Sequence, residues 1–134
     1  MDNPLPEAIV DRMENDADIL IVGGGLNGCC LSIALAQAGL SSVVIDALPV
    51  ETRTGAAFDG RSYALALASV RMLEALGLWD RLEDHAQPIL EVKASDGRAG
   101  EGAAPFFLHL DHSEIEEGPM GHMLEDRYLR RVLL

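Results

Sequence analysis

Asp18-Ile-Leu-Ile-Val-Gly-Gly-Gly-Leu-Asn-Gly28 is the stretch on which the fold turns. Its first five residues, Asp18 to Val22, form a short apolar run of the kind found in buried parallel strands. Gly23 to Gly28 then predict a tight turn. Leu26 to Ala38 is rich in Ala, Leu and Ile and reads as a helix, with Gly39 as its C-terminal stop. Ser42 to Asp46 is a second strand. The expected unit is β-α-β with parallel strands and a right-handed crossover, which places the chain in the α/β class.

Within that unit the spacing Gly23-x-Gly25-x-x-Gly28 has a physical reason at each position. Gly23 allows the chain to turn off the strand. Gly25 lacks a side chain, so a pyrophosphate can approach the backbone, and Gly28 lets the helix lie close to the sheet. The helix N-terminus presents N–H groups and a positive dipole end to an anion. Asp46 ends the second strand about 20 residues after the glycines, where a carboxylate can accept the hydroxyls of an adenosine ribose. It would repel a 2′-phosphate, which argues against NADP at this site. The expectation is therefore a Rossmann-like dinucleotide site, and the β-α-β pattern alone leaves FAD and NAD open.

Composition narrows the field. The formal net charge of −12 over 134 residues argues against nucleic acid and against a polybasic membrane anchor. A local acidic cluster, Asp111, Glu114, Glu116 and Glu117, reads as a solvated loop. Adjacent Cys29 and Cys30 cannot readily close a disulfide, and no spaced Cys/His set for a metal is present. Small buried residues at a helix start, in a reducing, cytoplasmic compartment, fit the two thiols best. Ile19 to Ile45 carries no charge, yet its five glycines and its change of period favour strand–turn–helix–strand over a membrane span. Residues 1–17 read as a loose leader with a short helix over 7–14, and not as a signal peptide.

Beyond the second strand, Leu48 to Gly60 reads as a long polar loop. Ser62 to Leu76 is expected as a helix with Leu65, Met72, Leu73 and Leu76 on one face. Leu78 to His85 reads as a short helix that packs Trp79 and Leu82 inward. Ile89 to Ala94, a turn at Ser95 to Arg98, and Pro105 to Leu110 read as the start of an antiparallel layer separate from the parallel core. Met120 to Leu124 is a candidate strand, and Asp126 is expected to cap a helix from Arg127 to Leu133. His85, His109, His112 and His122 show no partner spacing and read as structural.

Three segments carry a more specific signal: Phe58-Asp-Gly-Arg-Ser-Tyr-Ala-Leu-Ala66, Leu73-Glu-Ala-Leu-Gly-Leu-Trp79, and His122-Met-Leu-Glu-Asp-Arg-Tyr-Leu-Arg-Arg-Val-Leu133. In this order they resemble the N-terminal part of the ubiquinone-biosynthesis hydroxylases of the UbiH and UbiF type, which are class A FAD-dependent monooxygenases. The resemblance implies FAD as cofactor, with Gly23, Gly25, Gly28 and Asp46 on its ADP half and with Arg61 and Arg127 as further FAD contacts. It implies that 18–134 is the N-terminal part of an FAD-binding domain, incomplete because the family's later FAD motifs and most of its substrate sheet have no counterpart here. The implied whole-enzyme reaction uses NAD(P)H and O₂ to hydroxylate a polyprenylated phenol, and peripheral attachment to the inner membrane is part of that expectation. No catalytic residue can be named. An incomplete domain is expected to self-associate and to be inactive alone. The competing reading is an NAD-binding module of a dehydrogenase. Asp46 departs from the Glu common in the family, and Ser32 stands at a small-residue position of the helix.

Overall fold

The computed structural model describes residues 16–55, 57–115 and 118–134. The expected helix over 7–14 and nearly all of the expected leader lie outside them. The chain divides into two compact units, Met1–Ala47 and Leu48–Leu134.

The first unit is the expected β-α-β. Strand β1 (Ile19–Val22) pairs in parallel with β2 (Ser42–Ile45), from Ile19 opposite Ser42 to Val22 opposite Ile45. Between them runs helix α1 (Leu26–Gln37). It closes where Gly39, at φ +80°, lets its own N–H reach Ala36 O and the Leu40 N–H reach Leu35 O. Asp18 and Ser41 fasten the strand starts. The Ser41 N–H and hydroxyl donate to Asp18 Oδ2 at 2.8 and 2.6 Å, and the Asp18 N–H donates back to Ser41 Oγ at 3.0 Å. The reading of both strands as buried is corrected. Ile21 is buried, whereas Val22 is 83% exposed and Leu20, Val43, Val44 and Ile45 are also exposed. A two-stranded sheet with one helix packed on it leaves its other face to solvent. Cys29 is buried, its thiol donating to Gly24 O at 3.2 Å, and Cys30 is half-buried.

The second unit departs further from expectation. A short helix, α2 (Val50–Arg53), interrupts the segment read as loop. The helix expected over Ser62 to Leu76 is a strand, β3 (Ser62–Ala66), followed by helix α3 (Leu67–Ala75). Ala and Leu favour helix weakly, and pairing with a distant strand overrides that preference. The buried residues of α3 are Val70 and Leu73; Met72 is exposed and Leu65 lies in the strand. Trp79–Arg81 and Glu83–His85 are 3₁₀ turns in place of the expected short helix, although Trp79 and Leu82 pack inward as expected.

Strand β4 (Gln87–Pro88) is followed by the hairpin β5 (Glu91–Arg98) and β6 (Gly102–Asp111), then by strand β7 (Gly121–Glu125) and helix α4 (Asp126–Leu133). Both pairings of β7, with β3 and with β4, are antiparallel, so β3–β7–β4 form one sheet and β5–β6 another. The turn expected at Ser95 to Arg98 is an irregularity inside β5, and the hairpin reverses beyond Arg98. Leu82 (0% exposed), Leu124 and Leu129 join Val70, Leu73 and Trp79 in the core of this unit. By contrast, Phe106, Phe107, Leu108 and Leu110 on β6 are all exposed, Phe106 by 87%.

Candidate functional site

In the first unit the chain leaves β1 through Gly23, whose φ of +106° is a conformation that side-chain-bearing residues rarely adopt. The Gly23 N–H still donates to Ile45 O at 2.7 Å, so the parallel ladder runs up to the turn itself. Gly25 is the N-cap of α1, and the first helical bond runs from the Cys29 N–H to Gly25 O at 3.0 Å. The N–H groups of the preceding turn therefore lie outside the helix ladder, at its positive end. No acidic side chain occupies that first turn.

The glycines differ in their surroundings. A Cβ at Gly25 would point into open space, as an approach route for a bulky anion requires. One at Gly28 would overlap the Gly23 carbonyl oxygen and press on Ile21 Cγ2 at 3.4 Å, so the helix can sit on the strand only without it. Asp46 follows β2 directly, and its Oδ2 accepts the Gly24 N–H at 2.7 Å. The carboxylate is thereby held at the mouth of the glycine turn. Backbone donors and a helix dipole for a diphosphate, with a carboxylate beside them for sugar hydroxyls, make a donor set that fits the ADP half of a dinucleotide.

The second unit holds Arg61 and Arg127. The Arg61 guanidinium is half-exposed and lies between two carboxylates. It pairs closely with Asp59, Nε to Oδ2 being 2.9 Å, and its Nη2 lies 3.1 Å from Asp126 Oδ2. The hydrogen bond from Arg61 holds the Asp59 carboxyl below the usual carboxylate range, and the same bond raises Arg61. Asp126 was expected as a helix cap. Instead Glu125 is the N-cap of α4, and Asp126 opens the helix with its side chain turned inward, 2% exposed. Its Oδ1 accepts the Tyr63 hydroxyl at 3.1 Å and its Oδ2 lies 2.5 Å from Arg130 Nε, one helical turn on. Burial, and then donation to Asp126, raise the Tyr63 phenol, which keeps it a hydrogen-bond donor. Arg127 pairs with Glu125 at 2.6 Å, and its guanidinium lies 4.8 Å from the Tyr128 ring centre and 6.0 Å from that of Phe58.

Asp59, Tyr63, Asp126 and Arg130 are the residues of this cluster to which the sequence assigned no such role. Local signals existed only in Asp59, two residues before Arg61, and in the one-turn spacing of Asp126 and Arg130. Among the histidines, His85 stacks on Tyr128 at 3.9 Å and His122 meets the edge of Trp79 at 5.1 Å. His109 lies 3.5 Å from Glu91 and beside Asp111, on the face where Lys93 also pairs with Glu91. Cross-strand pairing of Glu91 with Asp111 sets two like charges opposite each other, which the Lys93 ammonium on Glu91 offsets.

Residues 16–132 match the FAD binding domain family. The chain is 48% identical over 118 residues to the ubiquinone hydroxylase UbiL of Rhodospirillum rubrum, covering 88% of this chain and 26% of that protein. It is 32% identical over 118 residues to the 3-demethoxyubiquinol 3-hydroxylase of Escherichia coli, covering 87% of this chain and 29% of that one. The crystal structure of Klebsiella pneumoniae HpxO complexed with FAD and uric acid shares the fold at a TM-score of 0.61 and 20% identity, over 87% of this chain and 27% of that one. The chain thus spans a little over a quarter of the length of the curated relatives it matches.

Proposed function

The chain belongs to the FAD binding domain family, and from that premise we propose that it binds the ADP half of FAD in a flavin-dependent monooxygenase that hydroxylates a polyprenylated phenol in ubiquinone biosynthesis. The observation that carries this reading is the glycine turn at the β1–α1 junction with the Asp46 carboxylate on the Gly24 N–H. Gly23, Gly25 and Gly28 shape the diphosphate cradle, and Asp46 is the ribose acceptor. In the second unit, Arg61 and Arg127 are FAD contacts, since guanidinium groups pair with phosphate oxygens in a bidentate manner.

Bound there, FAD would supply the redox and oxygen chemistry, with NAD(P)H as the reductant of the whole enzyme. The residues of this chain bind and orient it. The relatives' names favour the ubiquinone precursor as substrate class, and a polyprenyl tail would favour peripheral contact with a membrane. No helix among the described residues is long and apolar enough to cross one.

The test is the absorption spectrum of the purified protein, followed by titration of the flavin-free form with FAD and with NAD. A flavin spectrum, with FAD retained and NAD ignored, is expected. Uptake of NAD in its place would overturn the reading. Exposed apolar faces on β1, β2 and β6 also lead us to expect self-association of the chain, which light scattering reads directly.

A further inference from the structure

Arg61 is gripped by two carboxylates of very different standing. Asp126 is 2% exposed and is itself fixed by Tyr63 and Arg130. The backbone adds to this hold, since the Asp126 N–H donates to Arg61 O at 3.1 Å. Asp59 sits on the loop before β3, nearly half-exposed, and its carboxylate also accepts the Arg61 N–H at 3.1 Å. A buried carboxylate that is ion-paired and hydrogen-bonded on its own side holds its partner in one place, whereas an exposed pair in water is worth little and exchanges readily. An anionic group of a ligand meeting this guanidinium would compete with the exposed carboxylate and leave the buried one in place.

Resting on the reading that Arg61 contacts FAD, we propose that Asp126 is the positioning residue for Arg61 and that Asp59 is the carboxylate that FAD displaces from it. Asp126 meets Nη2 from the buried side at 3.1 Å. Asp59 pairs with both Nε and Nη2 from the exposed side, satisfying them until a competing anion arrives. The two aspartates therefore act on FAD binding with opposite sign.

The experiment measures FAD dissociation constants of the flavin-free protein by quenching of flavin fluorescence. It compares wild type, Asp59→Asn, Asp126→Asn, Arg61→Gln and the Arg61→Gln/Asp126→Asn double variant, with thermal midpoints followed alongside. Removing the exposed competitor should tighten FAD by about threefold, the scale of a surface ion pair. Asp126→Asn should weaken FAD by about tenfold, as expected when a charge-assisted contact loses its orientation. The double variant should bind no more weakly than Arg61→Gln alone, because the Asp126 effect runs through that guanidinium. If the two losses add in full, Asp126 is structural only and the proposal falls. If Arg61→Gln leaves FAD affinity unchanged, the contact assigned to Arg61 is wrong, and the proposal falls with it for that distinguishable reason. Should Asp126→Asn fail to fold, Asp59→Asn decides: tighter FAD supports displacement, and unchanged or weaker FAD refutes it.

Discussion

On the proposed reading, the turn at Gly23–Gly28 and the cluster around Asp126 would meet negative charge by opposite means. The turn uses main-chain N–H groups, a helix end and the absence of side chains. The cluster uses two guanidinium groups, two carboxylates and a phenol whose positions depend on one another. A backbone device tolerates no intrusion but responds little to pH or salt. A side-chain device can be tuned one group at a time, and its members are coupled.

Four changes would break or sharpen that contrast. The largest effect is expected from Gly28→Val, whose branched side chain would collide with the Gly23 carbonyl. FAD affinity should fall by at least about 100-fold and stability by about 3 kcal/mol, at the upper end of overpacking costs, read by FAD titration and urea unfolding. Next, Asp126→Ala leaves Arg61 and Arg130 without their shared buried partner. Breaking a buried pair costs about 3–5 kcal/mol, and the exposure of Arg61 reduces that to about 2 kcal/mol, measurable as a lowered unfolding midpoint.

Asp46→Ala removes an acceptor without adding bulk. Affinity for FAD should drop about tenfold, near 1.4 kcal/mol, with α1 intact by circular dichroism. The smallest effect belongs to Asp18, whose carboxyl is lowered by hydrogen bonds from the Ser41 hydroxyl and N–H. A lowered folded-state value means that its contribution is present above the unfolded value of 3.8 and fades as pH falls below it. The melting-temperature gap between wild type and Asp18→Asn should therefore be small near neutrality and vanish under acid. A gap that widened under acid would contradict the assignment.

The same contrast explains what could be read in the sequence. The β1–α1–β2 unit was legible because its determinants are neighbours: an apolar run, three spaced glycines, a small-residue helix and a second apolar run. Ser62–Ala66 was not legible as a strand. Its Ala and Leu residues suit a helix, and its strand state rests on pairing with Gly121–Glu125 far along the chain. Asp126 was read as a cap because its position before Arg127 has that local form, whereas its actual partner Tyr63 is 63 residues away. The exposure of Val22 and Ile45 was equally hidden, since an apolar strand does not announce whether anything covers its second face.

The distance between Tyr63 and Asp126 also has a consequence for the order in which the protein is made. The glycine turn has all its partners once Asp46 has left the ribosome. Asp126 follows Tyr63 by 63 residues, which at about 5–20 residues per second is a delay of several seconds. Through that interval Arg61 exists without its anchor, and β3 waits for β7, so the nascent chain owns its glycine turn well before it owns the grip on its arginine.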